Sequence, residues 1–162
     1  NRTKSIESGC MQRKKQIWVD ADACPNVIKT ILYRAAERCQ CMLILVANSP
    51  LTVPGSRWIK KITVEQGFDV ADKYIVNRVI EGDIVVTADI PLADELVARK
   101  AKVISPRGEL FTQENIRQRL QMRDILEQVR DSGIRTGGPA PFSARDKQLF
   151  ANQLDRLLVV KG

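Results

Sequence analysis

The chain has 162 residues, of which 44% are hydrophobic, 28% charged and 5% aromatic, with a net charge of +7. This is the size of one ordinary domain with a substantial core, and no apolar run reaches the roughly 20 residues needed to span a membrane. The sequence holds no histidine, which excludes Ser-His-Asp and Cys-His catalysis, His-ligated zinc and an imidazole general base; acid–base or metal chemistry must use carboxylates, cysteines, lysines or water.

Residues 1–15 are set apart as a disordered tail, with Met11 a candidate start, and residues 16–162 are read as one domain. Gln16–Asp20 is a short apolar run with β-branched residues, which predicts a strand. Pro25 opens a helix to about Gln40, with Val27, Ile28, Ile31, Leu32 and Ala35 at helical spacing. Met42–Ala47 is continuously apolar, as in a strand buried on both faces. Two prolines and a glycine make residues 48–56 a loop. A short strand is expected at Lys61–Val64 and a helix from Val70 to Ile80. Asp83–Thr87 is a further buried strand, and Pro91 opens a helix through Arg99. Val103–Ile104 is a short strand and Pro106–Gly108 a turn. Thr112 caps a long helix to about Asp131. A Gly/Pro-rich loop covers residues 132–142, and Ser143 caps a final helix ending near Leu158.

Strands alternating with helices predict an α/β fold with a parallel sheet of four to five strands and helices on both faces. The two C-terminal helices are expected as an extension that acts as a lid or clamp. Charge divides along the chain: residues 1–16 carry +4, residues 17–98 carry −3 and residues 99–162 carry +6. An acidic segment joined to a basic one suits metal-binding carboxylates beside a surface for polyanions. The four cysteines show no C-x-x-C pair, which points away from a zinc site and towards a reducing, cytoplasmic setting. No apolar stretch of signal-peptide type opens the chain.

Ligands of parallel α/β sheets bind at the carboxyl ends of the strands. Polar residues expected there are Asp20 and Asp22, then Asn48 and Ser49, then Asp69 and Asp72. Thr87 and Asp89 follow, with Asp94 one turn into the next helix, and then Ser105 and Arg107. Asp83 starts its strand and belongs to the opposite edge. Carboxylates converging from several loops suit a hard cation, Mg²⁺ or Mn²⁺, and phosphodiester hydrolysis. Each of these acids also has a plainer reading. Asp69 with Asp72 resembles a capping box, Asp22 could cap a helix, and Asp94 could favour a helix dipole. Cys24, at a helix start, is read as a packed structural cysteine rather than a nucleophile. Arg117, Arg119, Arg123 and Arg130 form either a solvated face or a phosphate-contacting stripe.

The stretches IWVDADACPNVIK, GFDVADKYI, GDIVVTADIPLA, SPRGELFT and TGGPAPFSARD resemble the YaiI/YqxD family of bacterial proteins, from about Ile17 to Leu158. That family is in turn similar to the PIN/NYN nucleases. The resemblance implies a PIN-like sheet and a Mg²⁺/Mn²⁺-binding acidic cluster that cleaves RNA or DNA. Its matching positions are Asp20, Asp72 and Asp89, with Thr87 orienting carboxylates or water and either Asp94 or Asp22 as a fourth acid. Asn48, Ser49, Arg107 and Arg123 are expected to hold substrate, with RNA the expected partner.

Two other readings stay open. VDAD also resembles the D-x-D motif of haloacid-dehalogenase phosphatases, with Asp20 as nucleophile, Asp22 as acid–base and Asn48–Ser49 as the phosphate loop. Alternatively, the basic C-terminal third binds RNA without catalysis. Few aromatics are present for base stacking.

Overall fold

The computed structural model describes residues 16–67, 70–131 and 143–159; the expectations for residues 1–15, for Asp69 and for the loop at 132–142 lie outside them. Among the described residues six strands form one sheet: β1 (Ile17–Asp20), β2 (Leu43–Ala47), β3 (Ile59–Thr63), β4 (Ile84–Val86), β5 (Lys102–Ile104) and β6 (Leu110–Phe111). Among the described residues five α-helices accompany them: α1 (Asn26–Cys39), α2 (Val70–Arg78), α3 (Ile90–Ala98), α4 (Gln113–Asp131) and α5 (Ala144–Val159). A 3-10 turn, Ala21–Ala23, follows β1.

The strand order is β3-β2-β1-β4-β5-β6. β1 to β5 are mutually parallel, and β6 pairs antiparallel with β5. The fold is therefore α/β and mostly parallel, consistent with a PIN-like layout. β3 begins two residues earlier than the sequence suggests, and β6 is an added strand.

Alternation along the strands sorts the core into two layers. Ile17, Val19, Leu43, Leu45, Ile84 and Val86 face α1 and α5, packing with Ile28, Leu32, Phe150 and Leu154. Trp18, Ile44, Val46, Val85 and Val103 face the other way, packing with Ile75 of α2, Leu96 of α3 and Ile116 of α4. Fully burying a side chain such as Leu32 or Ile75 stabilises by about 1.5–3 kcal/mol. Phe150 and Leu154 of the C-terminal helix α5 are fully buried, so α5 clamps the sheet as part of a core layer.

The opposite edge of the sheet is organised by Asp83, which is only 2% exposed. Its carboxylate accepts the indole N–H of Trp18 at 3.1 Å, the backbone N–H of Ile80 at 3.1 Å and that of Gln16 at 3.3 Å. A buried carboxylate needs such donors. This is the structural role expected of an acid placed away from the strand ends.

Candidate active site

Strand order reverses between β1 and β4, because β1 runs on to β2 on one side while β4 runs on to β5 on the other. Such a switch point splays the loops apart and opens a crevice at the carboxyl ends. Val19 lies beside Val86 in the register, so Asp20 and Thr87 are the next residues on either side of that crevice. By alternation, Asp20 shares a face with Trp18, and Thr87 shares one with Val85. Both of those core residues face α2 and α3. Asp72 stands in the first turn of α2 and Asp89 is the N-cap of α3. Asp20, Asp72, Thr87 and Asp89 are thus brought to one edge on one face.

Thr87 is buried, and its hydroxyl oxygen accepts the backbone N–H of Asp89 at 3.1 Å. Asp89 in turn accepts the backbone N–H of Leu92 through Oδ1 at 3.0 Å. Capping and a ligand role are compatible here, because the cap uses one carboxylate oxygen. Asp20 is half-buried, and its pKa is raised from 3.8 to about 6. Desolvation is the main cause, followed by the negative charges of Asp22 and Asp89. These three carboxylates therefore share one electrostatic field.

Asp22 is exposed and held by the neighbouring loop. Its Oδ2 accepts the backbone N–H of Asn48 at 2.7 Å, and its Oδ1 accepts the hydroxyl of Ser49 at 3.4 Å. The Asn48 side chain donates to the Glu65 carbonyl at 3.0 Å. Asn48 and Ser49, expected to touch substrate, tie loops together. Asp94 is exposed and lines a recess with Gln113, Ile116 and Arg117, on the α4 side of α3. That placement does not support it as a companion of Asp20. Arg123 lies within α4, but its side chain is outside the described residues.

Arg107 sits in the β5–β6 turn, and its guanidinium donates to Asp146 at 2.9 Å. Ser105 holds the turn: its Oγ accepts the backbone N–H groups of Arg107 and Glu109 at 3.2 and 3.1 Å. Gly108 has φ +90°, and a Cβ there would lie 2.6 Å from the backbone of Leu149 and Phe150. Only glycine fits both the left-handed conformation and the close approach of α5. Asp146 also accepts the backbone N–H of Ser143 at 3.0 Å, closing a reciprocal cap on α5. The S-x-x-D spacing signals that cap, whereas its link to Arg107 needs the folded chain.

Cys24 is buried, and burial pushes its thiol up to about 12. A thiol so protonated at neutral pH is a poor nucleophile, in keeping with a packing role. Among the described residues, no group of three or more Cys, Asp or Glu side chains is gathered closely enough to enclose a metal ion. No helix of the described residues is long and apolar enough to cross a membrane.

The fold and the strand-end acids define a class: an α/β protein with a mostly parallel sheet and aspartates at its carboxyl edge beside the switch point. The chain belongs to the family described as "Uncharacterized BCR, YaiI/YqxD family", which matches residues 18–160. It is 62% identical over 143 residues to a UPF0178 protein of Shewanella amazonensis, covering 88% of this chain and 96% of that one. It is also 62% identical over 147 residues to a UPF0178 protein of Saccharophagus degradans, covering 91% and 97%. No solved structure matches it.

Proposed function

We propose that this protein is a divalent-metal-dependent phosphodiesterase acting on nucleic acid, and on RNA rather than DNA. What supports this reading is the register that sets the ends of β1 and β4, and so Asp20 and Thr87, side by side, with Thr87 hydrogen-bonded to the Asp89 backbone. The donor set is all oxygen, which suits Mg²⁺ or Mn²⁺. Mg²⁺ commonly uses one or two carboxylates together with water and substrate phosphate, and does not require a closed protein cage. Asp20 and Asp89 would hold the cation, with Asp72 of the same edge as a further acid. When bound, the cation would supply charge neutralisation at a phosphate and an acidified water. Thr87 fixes the Asp89 backbone, and Arg107 offers a guanidinium for phosphate. The +6 charge of residues 99–162 favours a polyanionic substrate.

The test is a melting series with Mn²⁺ for wild type and Asp89→Asn, beside cleavage of single-stranded RNA by wild type and Asp20→Asn. A ligand that binds only the folded state raises its stability. The expected result is a Mn²⁺-induced rise lost in Asp89→Asn, and cleavage lost in Asp20→Asn with the fold intact. RNA bound without any metal response would favour a non-catalytic binder. A phosphoryl group trapped on Asp20 would favour the phosphatase chemistry instead.

A further inference from the structure

A cavity of about 350 Å³ opens beside the crevice, on the β5 side. Ala88 and Ile90, which flank Asp89, form one wall. Pro25, from the turn after β1, forms another. Pro106, Arg107 and Phe111 of the β5–β6 hairpin complete it. The cavity thus shares two of its three bounding loops with the carboxylates. Its volume lies at the small end of the ~300–1,000 Å³ typical of small-molecule pockets. It has room for one ring system with its sugar, and none for a duplex.

The chemistry of the lining is divided. Pro25, Ile90, Pro106 and Phe111 present apolar surface, whereas Arg107 brings a single cation. Arg107 remains 40% exposed although Asp146 fixes its guanidinium. Glu109, also part of the lining, is paired with Arg119. An apolar slot with one positioned guanidinium, next to acids suited to a metal-bound phosphate, fits a flat heterocycle joined to a phosphate.

We propose that this cavity is a nucleobase subsite: it takes one unstacked base adjacent to the scissile phosphate, with Arg107 on the neighbouring phosphate. The proposal rests on the phosphodiesterase reading for the word scissile, and on the cavity alone for the base. It defines the substrate as single-stranded, because a base within a duplex cannot leave its stack to enter a slot of this size without unpairing. Apolar contact with any base face is sequence-tolerant, so little base preference is expected.

The experiment compares adenosine 5′-monophosphate with ribose 5-phosphate, titrated into the intact protein without metal and followed by NMR. Both probes carry the phosphate and the sugar; only one carries the base. Adenosine 5′-monophosphate is expected to bind roughly tenfold or more tightly. Ala88→Leu, which fills the mouth, should abolish that difference and leave ribose 5-phosphate binding as in wild type. Equal binding of the two probes by wild type overturns the subsite, and this comparison needs no variant to fold. An unchanged preference in Ala88→Leu, with its circular dichroism native, overturns the location. RNA cleavage in Mn²⁺ is measured alongside. Base preference without cleavage removes the phosphodiesterase reading and leaves the subsite standing; cleavage without base preference does the reverse.

Discussion

Asp22 accepts the backbone N–H of Asn48 at 2.7 Å, which ties the turn after β1 to the turn after β2. This carboxylate therefore has a mechanical task before any chemical one. Asp22→Ala is expected to cost about 1 kcal/mol, as for an exposed bond to a charged acceptor. Amide exchange at Asn48 and Ser49 should quicken while the sheet stays protected. Unchanged exchange at Asn48 would show that the loop is held by other contacts.

Stability should fall as pH rises through the range in which Asp20 titrates. Its folded value of about 6 lies above the ordinary 3.8, so folding favours the protonated form. That contribution is fully present below about pH 4 and is lost as pH climbs through 6. Its size is of order 1–2 kcal/mol after allowance for solvent screening. Asp20→Asn should flatten this part of the profile and raise the melting temperature at pH 7.5 in metal-free buffer. A parallel profile in the variant would contradict the assignment.

Asp83 and Asp20 end as opposites, although both border β-strands of the same sheet. Asp83→Ala would strand the buried indole N–H of Trp18 and the part-buried backbone N–H groups of Gln16 and Ile80. A loss of about 3–5 kcal/mol is expected. Chemical denaturation read by tryptophan fluorescence measures it directly. A cost below 1 kcal/mol would mean that water replaces the carboxylate.

Gly108→Ala should destabilise by about 3 kcal/mol or more, because both φ and the approach of α5 oppose a side chain. Gly55→Ala is the matched control, since nothing lies within 4 Å of a Cβ there. Equal melting temperatures for the two variants would disprove the contact. Arg107 should also lose its fixed position in Gly108→Ala, as the turn moves away from Asp146.

Much of this arrangement could be read from the residues themselves. Runs such as MLILVA and DIVVT announce buried parallel strands, and the placing of Asp20 and Asp89 at one edge follows from the carboxyl-edge rule. β6 was not legible: Leu110 and Phe111 are too few for any periodicity, and they pair with β5 only because Gly108 turns the chain back. The start of β3 was obscured by Trp58 and Ile59, which follow a proline-rich loop with no strand-like alternation. Asp94 illustrates a different limit. Its distance along the chain from Asp89 is short, yet helical rotation carries it towards α4. Asn48 and Ser49 were correctly placed at the edge, but the sequence holds no sign that Asp22 would engage them.

The position of α5 has a consequence for how the chain is made. Phe150, Leu154 and Leu157 cover the same face of the sheet as Ile28 and Leu32, which precede them by more than a hundred residues. Arg38 and Asp155 join the same two helices at 2.7 Å. During synthesis α1 emerges more than a hundred residues before α5. Half of one core layer therefore stays open to water until α5 has been made. Such long-range closure slows folding and exposes apolar surface meanwhile. A chain cut short before residue 150 would keep every strand-end acid and still lack the means to hold them in place.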